Sequence, residues 1–160
     1  LGQGISCAVG MALSSKHFGS GFNVYTVLGD GELEEGQVWE AAMFASSKGL
    51  SNLTAFVDNN NLQIDGTVEE VNSPYPIDKK FEAFGWHTIV IDGHDFDQIE
   101  AAVNEAKTVD KPVCIIANTV KGKGVSYMEN QVGWHGSAPN DELAAKALEE
   151  LDAQLNELMA

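Results

Sequence analysis

Two short apolar runs, residues 23–28 (NVYTVL) and 53–57 (LTAFV), are separated by one helix-length segment, and each runs directly into a polar turn. The first turn is Gly29-Asp30-Gly31; the second is Asp58-Asn59-Asn60-Asn61. Both runs are rich in β-branched and aromatic residues and predict buried strands. Between them Val38, Ala41, Ala42 and Ala45 recur on one helical face, which stops at Gly49. Strand, helix and strand at this spacing form a βαβ unit, and a right-handed crossover puts both strands in one parallel sheet. Asp30 and Asn60 then stand at the same end of two neighbouring strands.

The flanking sequence continues the alternation. Ile5, Ala8, Val9, Ala12 and Leu13 predict a first helix, ended by Gly19 to Gly21. Residues 62–75 read as loop, 77–84 as a short helix and 86–91 as a strand. Asp95 suits the cap of a helix whose apolar face is Phe96, Ile99, Ala102, Val103 and Ala106. Pro112 opens a strand at 113–117, followed by a loop holding Lys121 and Lys123 between glycines. A last helix begins at Asn140 or Asp141, with Ala144, Leu148, Leu151, Leu155 and Leu158 as a narrow seam. That seam predicts docking on the core or on a partner. The expected fold is α/β, a parallel sheet with helices on both faces.

Charge narrows the partners. With 24 acidic residues against 9 Lys and Arg, the net charge is -15. Nucleic acid is disfavoured, because binding it rests on neutralising phosphates with cations. An anionic membrane surface is disfavoured for the same reason, and no apolar run approaches the ~18 residues of a membrane span. The two cysteines, Cys7 and Cys114, sit in apolar stretches and are expected to be small core residues in a reducing cytoplasm.

In an open α/β sheet, ligands bind beyond the carboxyl ends of the strands. Magnesium takes hard oxygen ligands, often one or two from protein and the rest from phosphates. Asp30 offers a charged oxygen, Asn60 a carboxamide oxygen and Leu62 a backbone carbonyl. Glycines beside Asp30 allow close backbone approach to phosphates. Either turn alone is more often only a turn; both together, each after a buried strand, are far more specific. Other polar residues have plainer readings. Glu32 and Glu34 open a helix, where acids suit the dipole. His17 reads as a helix-end residue, His87 as a packing or surface residue of a strand, Trp39 and Met43 as packing, and Lys121 and Lys123 as loop lysines that either meet a phosphate or are simply solvated.

The stretch 29–66, GDGELEEGQVWEAAMFASSKGLSNLTAFVDNNNLQIDG, resembles the thiamine-diphosphate fingerprint, Gly-Asp-Gly followed about thirty residues later by Asn-Asn. Within that superfamily the chain is similar to transketolase. Leu1-Gly2-Gln3-Gly4, Glu35-Gly36, Ile64-Asp65-Gly66, Ile91-Asp92-Gly93-His94-Asp95 and Trp134-His135-Gly136 match that family in order. The resemblance covers essentially the whole chain and is closest to the amino-terminal polypeptide of transketolases split into two chains.

The resemblance implies a diphosphate-binding domain over residues 1–160 that lacks its upstream part. It implies that Asp30, Asn60 and the Leu62 carbonyl bind Mg²⁺ or Ca²⁺. Gly31 would lie against the diphosphate of thiamine diphosphate, and Leu1 and Ile64 against its rings. His135 would approach both the diphosphate and the donor sugar. Glu35 would support, at a subunit interface, a glutamate supplied by a pyrimidine-binding domain or subunit. The implied reaction moves a two-carbon ketol unit between sugar phosphates in the cytoplasm, in an assembly that is a dimer or heterotetramer. Family histidines would lie before Leu1, and the pyrimidine-binding domain lies outside this chain, so this chain alone is expected to be inactive. The competing readings are a deoxyxylulose-phosphate synthase or 2-oxoacid dehydrogenase E1 relative, and a non-catalytic module of the same fold.

Overall fold

The alternation is realised in the computed structural model, which describes residues 1–159. Helix α1 (Gln3–Phe18) leads into β1 (Val24–Gly29), a 3-10 turn (Gly31–Glu34), α2 (Gly36–Ser47) and β2 (Leu53–Asn59). A small hairpin follows, β3 (Leu62–Gln63) and β4 (Gly66–Thr67), then α3 (Val68–Asn72) and α4 (Ile77–Ala83). Strand β5 (His87–Asp92), α5 (Phe96–Ala106), β6 (Val113–Asn118), a 3-10 turn (Val132–Trp134) and α6 (Asp141–Leu158) complete the order.

The main sheet runs β1-β2-β6-β5, with every pairing parallel. One face is covered by α1, α2 and α4. There Ile5, Ala8, Val38, Ala42 and Phe81 bury against Leu28, Leu53, Val57 and Ile116. Trp39 stacks on Phe84, and the Trp86 indole N–H donates to the Ala42 carbonyl at 2.9 Å. The other face is covered by α5, where Ala102 and Ala106 meet Ile91, Val113 and Ile115. Helices therefore lie on both faces, as the alternation demands. On the β1 strand that second face is bare: Tyr25 and Val27 are exposed.

Several local expectations need correction. Residues 62–75 are not all loop. Thr67 caps α3 by accepting from the Glu70 N–H while its hydroxyl donates to the Glu70 carboxylate. Cys7 is exposed because it falls off the buried stripe of α1, whereas Cys114 is fully buried on β6. Burial pushes the Cys114 thiol pKa well up. Met43 is exposed although Trp39, one turn earlier, packs. Phe96, the first residue of α5, is also exposed, because it precedes the part of the helix that reaches the sheet.

Helix α6 does not dock on the core. It is tied to the preceding loop by polar contacts: Tyr127 donates to the Leu143 carbonyl, and Ser126 donates twice to Glu150. Leu148, Leu151, Leu155 and Leu158 remain exposed.

Candidate functional site

Parallel pairing brings the carboxyl ends of the strands to one edge. Gly29 pairs with Asp58, Asp58 with Ala117, and Asp92 with Asn118. The ladder extends past the strands, since the Asp30 N–H reaches the Asp58 carbonyl at 3.2 Å and the Thr119 N–H the Asn59 carbonyl at 3.1 Å. The turns after β1, β2 and β6 are thus fixed to one another by backbone.

Asp30 is a buried carboxylate, 2% exposed. Its two oxygens accept from the backbone N–H groups of Gly31 and Asn61. Burial raises its pKa above the ordinary 3.8, backbone hydrogen bonds from Asn61, Gly31 and Asn60 pull the other way, and nearby Asp58 adds repulsion. Asn61 makes this possible by adopting a left-handed conformation (φ 60°), which asparagine tolerates. Its side chain accepts from the Glu69 N–H, and its carbonyl accepts from the Val68 N–H, so it anchors the loop to α3. The Asn60 side-chain oxygen accepts from the Leu62 N–H at 3.0 Å.

Asp30, Gly31, Asn60, Leu62 and Ile64 line one cavity of about 240 Å³, together with Leu1 from before α1 and His135 from after the second 3-10 turn. Glu35 lies outside it, exposed at the start of α2, and its side chain does not cap that helix. A larger hollow, about 450 Å³, lies beside Tyr75, Val90 and Ile116 and takes only Asn59 from the two turns. Its rim holds a relay in which Tyr75 donates to Asn59 at 2.7 Å and Asn59 donates to Asn118. Burial, with Asp30 and Glu69 nearby, pushes the Tyr75 pKa up to about 12, so its hydroxyl stays protonated.

Sequence reasoning missed part of the cavity wall. Glu32, Asp58 and Gln63 also line it, as does Lys121, whose loop already offered a phosphate contact. Glu32 is not merely a helix-end acid: its carboxylate accepts from Gly2 and Gly29 N–H groups. Gln63 packs on Gly31, where an added Cβ would sit 2.8 Å from its side-chain oxygen and 3.2 Å from its Cβ, so a larger residue would have to push Gln63 aside. Lys121 is not simply solvated. Its carbonyl accepts from the Asn130 N–H, and the adjacent Val120 N–H donates to His94 Nε2 at 2.8 Å, which gives His94 a role in fixing this loop. His135 is held through Trp134, whose indole donates to the Tyr127 carbonyl. The signal for Lys121 was its Lys-Gly-Lys-Gly loop directly after a strand.

The donor set suits a shared cation. Among the described residues no group of three or more His, Cys, Asp and Glu could hold a metal by itself. Asp30, Asn60 and a Leu62 carbonyl offer oxygen only, which matches Mg²⁺ or Ca²⁺ completed by phosphate oxygens. Three acidic residues, Asp30, Glu32 and Asp58, line the cavity with a single lysine, Lys121. A bare diphosphate would be repelled there; a diphosphate carrying a divalent cation would not.

The family model for the thiamine diphosphate binding domain of transketolase matches residues 1–156. The chain belongs to the transketolase family. It is 46% identical over 155 residues to the 6-deoxy-6-sulfo-D-fructose transketolase subunit SqwG of Clostridium sp. (strain MSTE9), covering 96% of this chain and 56% of that protein. It is 39% identical to one of the apulose-4-phosphate transketolase subunits of Phocaeicola vulgatus, over 99% of this chain and 57% of the relative. Human transketolase is 41% identical over 97% of this chain, but that is 25% of the human protein. The transketolase crystal structure from Campylobacter jejuni superposes with a TM-score of 0.89 at 34% identity, covering 94% of this chain and 25% of the other. The chain therefore spans little more than half of the subunit-type relatives and a quarter of the single-chain ones.

Proposed function

We propose that this chain is the diphosphate-binding portion of a transketolase that moves a two-carbon ketol unit from a ketose phosphate to an aldose phosphate. The observation that carries the reading is the cavity itself. Asp30 and Asn60, the residues suited to metal chemistry, share it with Leu1, Ile64 and His135, the residues suited to cofactor contact. When bound, thiamine diphosphate supplies the carbanion-stabilising chemistry. Asp30, Asn60 and the Leu62 carbonyl would hold Mg²⁺ or Ca²⁺ against its diphosphate, with Gly31 alongside. Lys121 would balance the remaining phosphate charge. Leu1 and Ile64 line the cavity with apolar side chains, Ile64 69% exposed, and the cofactor rings would cover them.

Glu35 faces out of the cavity, so it would support the activating glutamate of a pyrimidine-binding domain or subunit. His135 would approach both the diphosphate and the donor sugar. The active form is an assembly, a dimer or heterotetramer, working on cytoplasmic sugar phosphates. Relatives named for different sugars leave the donor at the level of a ketose.

The test is a product assay on the complete protein with its pyrimidine-binding partner. Xylulose 5-phosphate plus ribose 5-phosphate should yield ketol transfer requiring both thiamine diphosphate and Mg²⁺. Turnover of pyruvate as donor, with none of the ketose phosphate, would replace this reading with the synthase or dehydrogenase type.

A further inference from the structure

Glu32 has no place in the metal or ring contacts assigned above. It adds a third carboxylate to a cavity that already contains Asp30 and Asp58. A helix-end acid could meet the dipole from the surface instead. Here both carboxylate oxygens are spent on backbone donors from two separate segments: one accepts from the Gly2 N–H at 2.8 Å, the other from the Gly29 N–H at 3.2 Å. The bridge joins residues 30 positions apart in sequence.

Leu1 is exposed and precedes α1. Gly2 is left-handed (φ 76°), and a Cβ there would come 3.0 Å from the Glu35 Cβ. The Leu1-Gly2 arm is therefore gripped between Glu32, by a hydrogen bond, and Glu35, by contact. Only glycine meets both the φ and the closeness.

We propose that Glu32 is a positioning residue that clamps the Leu1 arm to the turn carrying Asp30, so that the apolar wall and the metal carboxylate are set in register as one unit. This rests on reading the cavity as the thiamine-diphosphate site. Glu32 acts through Leu1 and Gly29, and takes no part in proton transfer or metal coordination. A residue in this role governs how tightly the cofactor seats more than how fast bound cofactor turns over.

The experiment uses the complete, assembled protein as wild type, Glu32→Ala and Glu32→Gln. The apparent KM for thiamine diphosphate at saturating Mg²⁺ should rise about tenfold in Glu32→Ala, as expected for losing a hydrogen bond to a charged acceptor. The fall in kcat at saturating cofactor should be smaller. Glu32→Gln should recover part of the affinity, because its side-chain oxygen still accepts from Gly2. In the cofactor-free proteins, amide exchange at Gly2 should speed up in Glu32→Ala while the amides of β2 and β6 keep their protection. Unchanged cofactor KM and unchanged Gly2 exchange in Glu32→Ala would overturn the proposal, as would a loss confined to kcat. If the wild type itself shows no response to thiamine diphosphate, the reading of the cavity fails; if the wild type binds and Glu32→Ala binds equally, only the clamp fails.

Discussion

The two ends of the cavity are built in opposite ways. At the Asp30 end, a buried carboxylate accepts from two backbone N–H groups, and the turns around it are sewn together by strand extensions. At the other end, Leu1 and Ile64 line the cavity with apolar side chains, and Ile64 stands exposed. One end is preorganised by the sheet; the other is finished by what binds to it. A cation against a diphosphate needs fixed oxygens, and misplacing one is expensive. Flat apolar rings need only surface, so their contacts can be left to the cofactor and a partner domain.

The contrast is broken most directly at Asp30. Asp30→Ala should reduce ketol transfer by more than about 100-fold and abolish thermal stabilisation by thiamine diphosphate plus Mg²⁺, an increment expected to be about 2.7 kcal/mol at 100 times Kd in the wild type. A variant that keeps that increment would place the cation elsewhere. Lys121→Ala should weaken cofactor binding about tenfold in a titration, with the loss growing smaller at high salt. At the exposed end, Ile64→Ala should cost only about fivefold in cofactor affinity, from roughly 1 kcal/mol of lost apolar contact. A loss at Ile64 larger than at Asp30 would reverse the comparison.

The pH dependence separates the ends as well. Because burial raises the Asp30 pKa in the folded protein, the charged form opposes folding in the cation-free state. Its contribution to stability therefore improves as pH falls through the raised value toward 3.8. Cation binding has the opposite sign, since a proton on Asp30 competes with the metal. The stabilising increment from thiamine diphosphate plus Mg²⁺, measured by thermal unfolding, should be full near neutral pH and shrink as pH falls toward the raised Asp30 value. An increment that is flat over that range would mean Asp30 is not a ligand.

The same division decides what can be read from sequence. Asp30 and Asn60 are legible because strand period and βαβ spacing fix where the residue after a strand must lie. Leu1, Ile64 and His135 are reached only through family resemblance; no periodicity points to them. Glu32 reads as a plain helix-end acid because its partner Gly2 lies 30 residues away and is reached only by packing α1 beside α2. Lys121 depends on His94 fixing the Val120 backbone, again a tertiary contact. The α6 leucines suggest a docked seam from spacing alone, yet hydrogen bonds to the 124–127 loop determine how the helix lies.

Cation and diphosphate are expected to enter this cavity together, because Asp30, Glu32 and Asp58 line it with Lys121 as its one lysine. Calorimetric titration of the complete protein with thiamine diphosphate, in Mg²⁺ and then in chelator, measures that coupling directly. Tight binding in Mg²⁺ and at least about 100-fold weaker binding in chelator is the predicted result. Equal affinity in both would contradict it.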